Sequence, residues 1–283
     1  MSIAESIKQL TQRLTGGPAD HALGRYKDKV EAINALEPRL RQASATALRA
    51  EANKLKERAR AGVPLDDLLV EVFALVREAA RREIGLRPFD VQVMGALGLY
   101  KGRLVQMCTG EGKTLAAVSP VALHALGGLG VHVLTFNDYL ARRDAEWMGP
   151  VYRFLGLTVG FIQQGMGHIE RQRAYQADVT YLTAKEAGFD FLRDSLAFEP
   201  TDLVQRPFHA ALVDEADSIL IDEARVPLVI AGRIERPSQQ QPIAMPGVVQ
   251  QLEPGLHFAT DEQGRNVYLT EHGITRAEEL LGR

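Results

Sequence analysis

The sequence predicts an α/β fold in three layers: a parallel β-sheet covered by helices on both faces, preceded by a helical extension and followed by the start of an inserted α+β domain. Three observations carry this. Short apolar runs at 103–107, 131–136, 157–162, 179–183 and 210–214 alternate with helix-like segments, the pattern of parallel strands joined by crossover helices. A glycine-rich turn, Thr109-Gly-Glu-Gly-Lys-Thr114, separates the first of these runs from a stretch of good helix formers. An acidic pair, Asp214 and Glu215, stands at the exit of the last run.

In chain order, Ile3, Ile7, Leu10 and Leu14 fall on one face of a first helix, which Gly16-Gly17-Pro18 ends. Lys8 and Arg13 are a thin basic complement for a membrane surface, so this stripe is expected to pack on the protein or a partner. From Arg25 to about Arg60 the text is helical and charge-rich, with an interruption expected near Glu37-Pro38. Leu65 to Ile84 places Leu68, Leu69, Val72, Leu75 and Val76 at helical spacing, a buried-face helix with no chemistry of its own. The alternating section begins near Arg87. The charge-free stretch Leu115 to Phe136 is broken by Ser119-Pro120, His124, His132 and three glycines, and so reads as helix, turn and strand rather than a membrane span. Beyond Gly232, three prolines and Gln239-Gln240-Gln241 suggest a connection. His257–Thr260, Asp261–Arg265 and Asn266–Thr270 then read as a hairpin, and Glu271–Leu281 as a short helix.

Composition bounds the function. At 283 residues there is room for roughly two domains. A net charge of −3 offers no overall electrostatic footprint for nucleic acid, and none is expected as a partner. The single cysteine excludes an internal disulfide or a cysteine-built zinc site; Cys108 reads as a buried bystander. No secretory signal precedes the first helix, which places the chain in the cytoplasm.

The chemistry lies in the two motifs. Glycines at 110 and 112 let backbone N–H groups curl around a phosphate, and the helix that follows directs its positive end at the same charge. Lys113 would reach the outer phosphates, and the Thr114 hydroxyl would ligate a bridging Mg2+. Met107 replaces the first glycine of the full pattern, a relaxation typical of helicase-like motors. Asp214 is placed to hold the magnesium, partly through water, and Glu215 to orient and deprotonate an attacking water. The competing reading of Asp214-Glu215, an acidic helix start after a strand, does not explain why the pair follows the glycine turn at one nucleotide-domain length.

Four stretches carry a family resemblance: Arg87-Pro-Phe-Asp-Val-Gln92, Gly130 through Asp144, Gly188 through Asp194, and Asp214 through Arg225. Together they resemble the SecA family, ATP-driven motors of bacterial preprotein export. The likeness runs from about Arg25 to Arg283 apart from the connection, and the run after Asp217 is the most specific part. The resemblance implies a RecA-like P-loop NTPase domain at 87–232, a helical extension at 1–86 packed on it, and at 233–283 the start of a preprotein-binding domain. It implies that Gln92, with Phe89 beside it, reads the adenine of ATP, and that Arg143 lies close to the nucleotide along with Thr109, Gly110, Glu111 and Gly112. The implied partners are unfolded preprotein, the membrane translocon channel and an anionic membrane surface, from a position on the inner face of the plasma membrane. Tyr181–Glu186 lacks the family's usual asparagine pair, and Val226 stands for its usual threonine, departures that suit a divergent or accessory member. Two other functions compete: a DEAD-type nucleic-acid helicase, and a nucleotide-binding module with little hydrolysis because a second motor half is absent.

Overall fold

The structure is a computed structural model that describes residues 18–229, 247–260 and 267–281, with side chains from Tyr26 onward. The amphipathic stripe at 3–14 and most of the connection at 233–247 lie outside the described residues. The chain divides into two compact units, Met1–Ile230 and Ala231–Arg283.

In the first unit, α1 (Pro18–Gln42), α2 (Ala45–Arg60) and α3 (Leu65–Glu83) precede the sheet. Contrary to expectation, α1 runs through Pro38, and the chain turns at Ala43-Ser44 instead. Arg82 stabilises that later stop by donating to the carbonyls of Leu40, Arg41 and Ala43 at the end of the helix. Ser44 then caps α2 by accepting from Ala47 N–H at 3.1 Å. The apolar face of α3 is buried as its spacing predicts, and α3 packs against both the first helices and the helices over the sheet.

The sheet holds β1 (Val131–Thr135), β2 (Val159–Phe161), β3 (Val179–Thr183) and β4 (Ala210–Val213), all parallel, in the order β2-β3-β1-β4. Alternation along the strands builds two cores of unequal size. Val131, Val133, Val179 and Tyr181 face the large core, which includes residues of α5 (Lys113–Ala125) and α6 (Asp138–Phe154). Leu182 and Leu134 face a smaller one with Ile162, Tyr175 of α7 (His168–Tyr175) and Ala187 of α8 (Ala184–Asp194). Helices thus cover both faces, and the three-layer α/β architecture is as the alternation predicts.

Four of the five expected strands form. Residues 103–107 do not: they have no regular secondary structure and pair with no described strand. Val105 and Met107 rest against Gly98 and Gly95 of α4 (Asp90–Tyr100), whereas Leu104 is 87% exposed. Strand periodicity therefore survives without strand hydrogen bonds. Among the described residues β4 pairs only with β1, and it lines a cavity together with 104–107. Cys108, expected to be buried, is exposed.

In the second unit, β5 (Phe258–Thr260) and β6 (Val267–Leu269) pair antiparallel as the expected hairpin; its turn lies outside the described residues. Helix α9 (Glu271–Leu280) follows, capped by the Thr270 hydroxyl, which accepts from Gly273 N–H at 3.1 Å.

Candidate functional site

The glycine turn is held by backbone geometry that a side chain would strain. Gly110 and Gly112 sit at φ of 84° and 79°, in the left-handed region, and α5 begins at the next residue, Lys113. Gly112 has a second constraint, since the Gln92 amide occupies the space a β-carbon would need. Gln92 is 7% exposed and engaged at both ends: its Oε1 accepts from Phe89 N–H at 2.8 Å, and its Nε2 donates to the Glu111 carbonyl at 2.7 Å. Glu111 folds back so that its carboxylate accepts from Cys108 N–H at 2.9 Å.

The start of α4 is anchored from α3. Arg77, 2% exposed, donates to the Pro88 carbonyl at 2.7 Å and pairs with Asp90, whose carboxyl it holds below the usual range. Sequence reading passed over Arg77. The signal was a charge on an otherwise apolar helix face.

The second motif leaves the sheet where expected. Asp214 N–H donates to the Leu134 carbonyl at 2.9 Å, extending the β1–β4 ladder by one residue to the carboxyl end of the sheet. Glu215 follows at φ 50°, the only left-handed residue among the described residues that is not glycine. A π-helical turn, Ser218–Asp222, comes next.

A cavity of about 1010 Å³ is shared by the last two residues of the glycine-rich motif and by the acidic pair. Lys113, Thr114, Thr135, Asp144, Asp214 and Glu215 line it, along with the apolar residues Leu104, Val105, Val131, Val133, Ala210 and Leu212. It is at the upper end of the roughly 300–1,000 Å³ typical of small-molecule sites. Ligands on parallel sheets bind beyond the carboxyl ends of the strands, and Thr135, Asp214 and Glu215 of this cavity sit at those ends. The structure therefore brings Lys113 and Thr114 together with Asp214 and Glu215. It groups Phe89 and Gln92 with Glu111 in a separate hydrogen-bonded cluster, and the lining does not include Thr109, Gly110, Glu111 or Gly112.

Arg143 is not among the lining residues either. Its side chain, 41% exposed, is tied to Asp144, with Nε at 2.8 Å and Nη2 at 2.7 Å from the same Oδ1. Asp144 does line the cavity and is 2% exposed; burial pushes its carboxyl above the usual range, with Asp214 adding to the rise and Arg143 opposing it. Asp144 and Thr135 were missed as site residues, because their spacing in the sequence says nothing of a shared cavity.

The donor set suits a hard divalent cation. Thr114 and Asp214 offer oxygens to one cavity, and Mg2+ is usually held by one or two carboxylates plus substrate phosphates. Among the described residues, no group of three or more His, Cys, Asp or Glu side chains could hold a metal ion alone, which is compatible with that mode.

Comparison with known proteins adds the lineage. The SecA DEAD-like domain family matches residues 11–278. A protein translocase subunit SecA from Rubrobacter xylanophilus is 55% identical over 253 residues, covering 89% of this chain and 28% of that protein. Another, from Syntrophobacter fumaroxidans, is 50% identical over 276 residues, covering 98% of this chain and 33% of that one. The chain thus spans about a third or less of the length of these relatives. Among solved structures, a hypothetical ATP-dependent RNA helicase from Sulfolobus tokodaii is similar at 23% identity and a TM-score of 0.40, covering 53% of this chain and 44% of that chain.

Proposed function

The chain belongs to the SecA family through its DEAD-like domain, and from that premise we propose that it binds and hydrolyses ATP as the first nucleotide-binding domain of a preprotein-export motor. The observation that carries this reading is the single cavity onto which Lys113, Thr114, Asp214 and Glu215 all face. In this reading residues 87–232 form the nucleotide domain, 1–86 a helical extension packed on it, and 233–283 the start of a preprotein-binding domain.

The residues divide the work by chemistry. Backbone amides of the 109–114 turn and the Lys113 ammonium bind the outer phosphates, since phosphoryl transfer is chiefly positioning and electrostatics. The Thr114 hydroxyl and Asp214 carboxylate would hold Mg2+, which when bound would neutralise charge on the phosphate oxygens. Glu215 orients a water for in-line attack and accepts its proton at the carboxylate. Gln92 and Phe89 lie at the adenine end, and Arg143 approaches the nucleotide. Preprotein, a translocon channel and an anionic membrane surface are the partners, met from the cytoplasmic side. No helix among the described residues is long and apolar enough to cross a membrane.

Calorimetry of Mg·ATP binding tests the phosphate site. Lys113→Ala removes a charge-assisted contact of about 1.5–3 kcal/mol, a weakening of roughly 10- to 100-fold; unchanged affinity would refute the assignment. Glu215→Gln should keep nucleotide binding and abolish turnover, and an undiminished steady-state rate would show that another group positions the water.

A further inference from the structure

We propose that Arg77 is a positioning residue of the phosphate site: from α3 it fixes the start of α4, and through Gln92 it sets the conformation of the 109–114 turn. The inference rests on the nucleotide reading above but needs no contact between Gln92 and a base.

Arg77 and Glu78 are the two charged residues buried in α3. Glu78 is satisfied within its own helix, by Arg81 at 2.7 Å and by Arg82. Every partner of Arg77 lies on another element. It donates to the Pro88 carbonyl at 2.7 Å, to Asp90 Oδ1 at the first residue of α4 and to Asn34 Oδ1 on α1, with Glu37 of α1 at 3.8 Å. Asn34 in turn donates to Asp90 Oδ2 at 3.1 Å, and Arg87 grips Glu37 at 2.7 and 2.6 Å. A buried ion pair is weak evidence for stability, because well-packed apolar residues often do as well. A forked guanidinium suits this place because it serves three acceptors at once.

From there the hydrogen bonds run on to the turn. Phe89, between Pro88 and Asp90, donates its N–H to Gln92 Oε1 at 2.8 Å, and Gln92 Nε2 donates to the Glu111 carbonyl at 2.7 Å. Gly110 and Gly112, both left-handed, flank that carbonyl. Two glycines so close together leave the turn many conformations, and a hold on the residue between them selects one in advance of binding. Lys113 and Thr114, which follow directly, line the cavity. Arg77 thereby governs how the turn presents its amides to a phosphate.

Nuclear magnetic resonance on the ligand-free 283-residue chain tests the network, since the Gly112 amide resonance reports on the Glu111 carbonyl that precedes it. Gln92→Ala is expected to shift that resonance. Arg77→Lys, which keeps the charge but loses the fork, is expected to shift it in the same direction. A wild-type Gly112 resonance in Arg77→Lys, whatever the change in melting temperature, makes Arg77 structural and overturns the proposal. Calorimetry then follows Mg·ATP. Arg77→Lys is expected to weaken binding roughly 2- to 30-fold, the range for residues acting through a packed network. The Arg77→Lys, Gln92→Ala double variant should bind no more weakly than Gln92→Ala. Wild-type affinity in Arg77→Lys, or losses that add, overturns the proposal as well. Where Arg77→Lys does not fold, Asn34→Ala removes one arm of the clasp from α1; it is expected to move the same resonance, and a wild-type position there overturns the proposal. The nucleotide reading fails separately, through wild-type affinity in Lys113→Ala or no nucleotide binding by the wild-type chain, while the Gly112 resonance still reports on the network.

Discussion

Glu215 combines a strained backbone with the most demanding proposed role. Its φ of 50° puts a β-carbon where glycine is favoured, and the turn persists because Asp214 is fixed on both sides of it. Asp214 donates its N–H to Leu134 on β1, and its Oδ1 accepts from Glu215 N–H at 3.0 Å. Left-handed backbone at a non-glycine residue costs about 1 kcal/mol. Glu215→Gly is therefore expected to raise the thermal midpoint of the free chain while removing the proposed base; a lowered midpoint would show that the side chain is itself stabilising. Gln92 invites a complementary experiment. It ties Phe89 to Glu111 before any nucleotide arrives, so Gln92→Ala should cost about 1–3 kcal/mol of stability in ligand-free protein. A residue that touched only the base would leave that stability unchanged in urea titrations.

Among the elements, the segment leading into the glycine turn departs furthest from its own pattern. Alternating Leu104, Val105 and Met107 suit a strand, and two of those side chains pack on α4 as a strand's would. With no partner edge, its backbone amides are open to exchange. Amides at 104–107 are expected to exchange orders of magnitude faster than those of β1, as judged by hydrogen–deuterium exchange, and Cys108 to react readily with a thiol reagent in the native state. Protection equal to that of β1 would mean that the segment is paired. The opposite lesson comes from α1. Proline in a helix interior removes a backbone hydrogen bond, but α1 continues through Pro38 to the carbonyls that Arg82 reaches.

At the scale of the molecule, acid sensitivity should come from two histidines. His132 stands against the rings of Tyr175 and Phe208, and His124 against Tyr100 and His209. Burial holds both imidazoles below the ordinary 6.5. The unfolded chain thus takes up protons before the folded one as pH falls through 6.5. Stability is complete above that value and declines below it. Urea midpoints are expected to be flat from about pH 8 to about pH 7 and to fall by about pH 5.5. A His124→Gln, His132→Gln double variant should show a shallower slope, and an unchanged slope would place the titration elsewhere.

The sequence by itself determined the alternation of strand and helix, the α3 stripe, the glycine turn and the acidic pair, because each is encoded within a few residues by periodicity, turn chemistry or charge. The meeting of Lys113 and Thr114 with the acidic pair in one cavity, anticipated from the order of the motifs, depended on a parallel sheet that sends every strand exit to the same edge. Only the tertiary structure decided the burial of Asp144 beside the cavity, the anchoring of Asp90 by Arg77, the engagement of Gln92 with Glu111, and the unpaired state of 103–107. Each of those depends on what stands opposite in space. A charged side chain on a buried face or an apolar run without a neighbouring edge takes its meaning from partners tens of residues away, and local spacing carries no record of them.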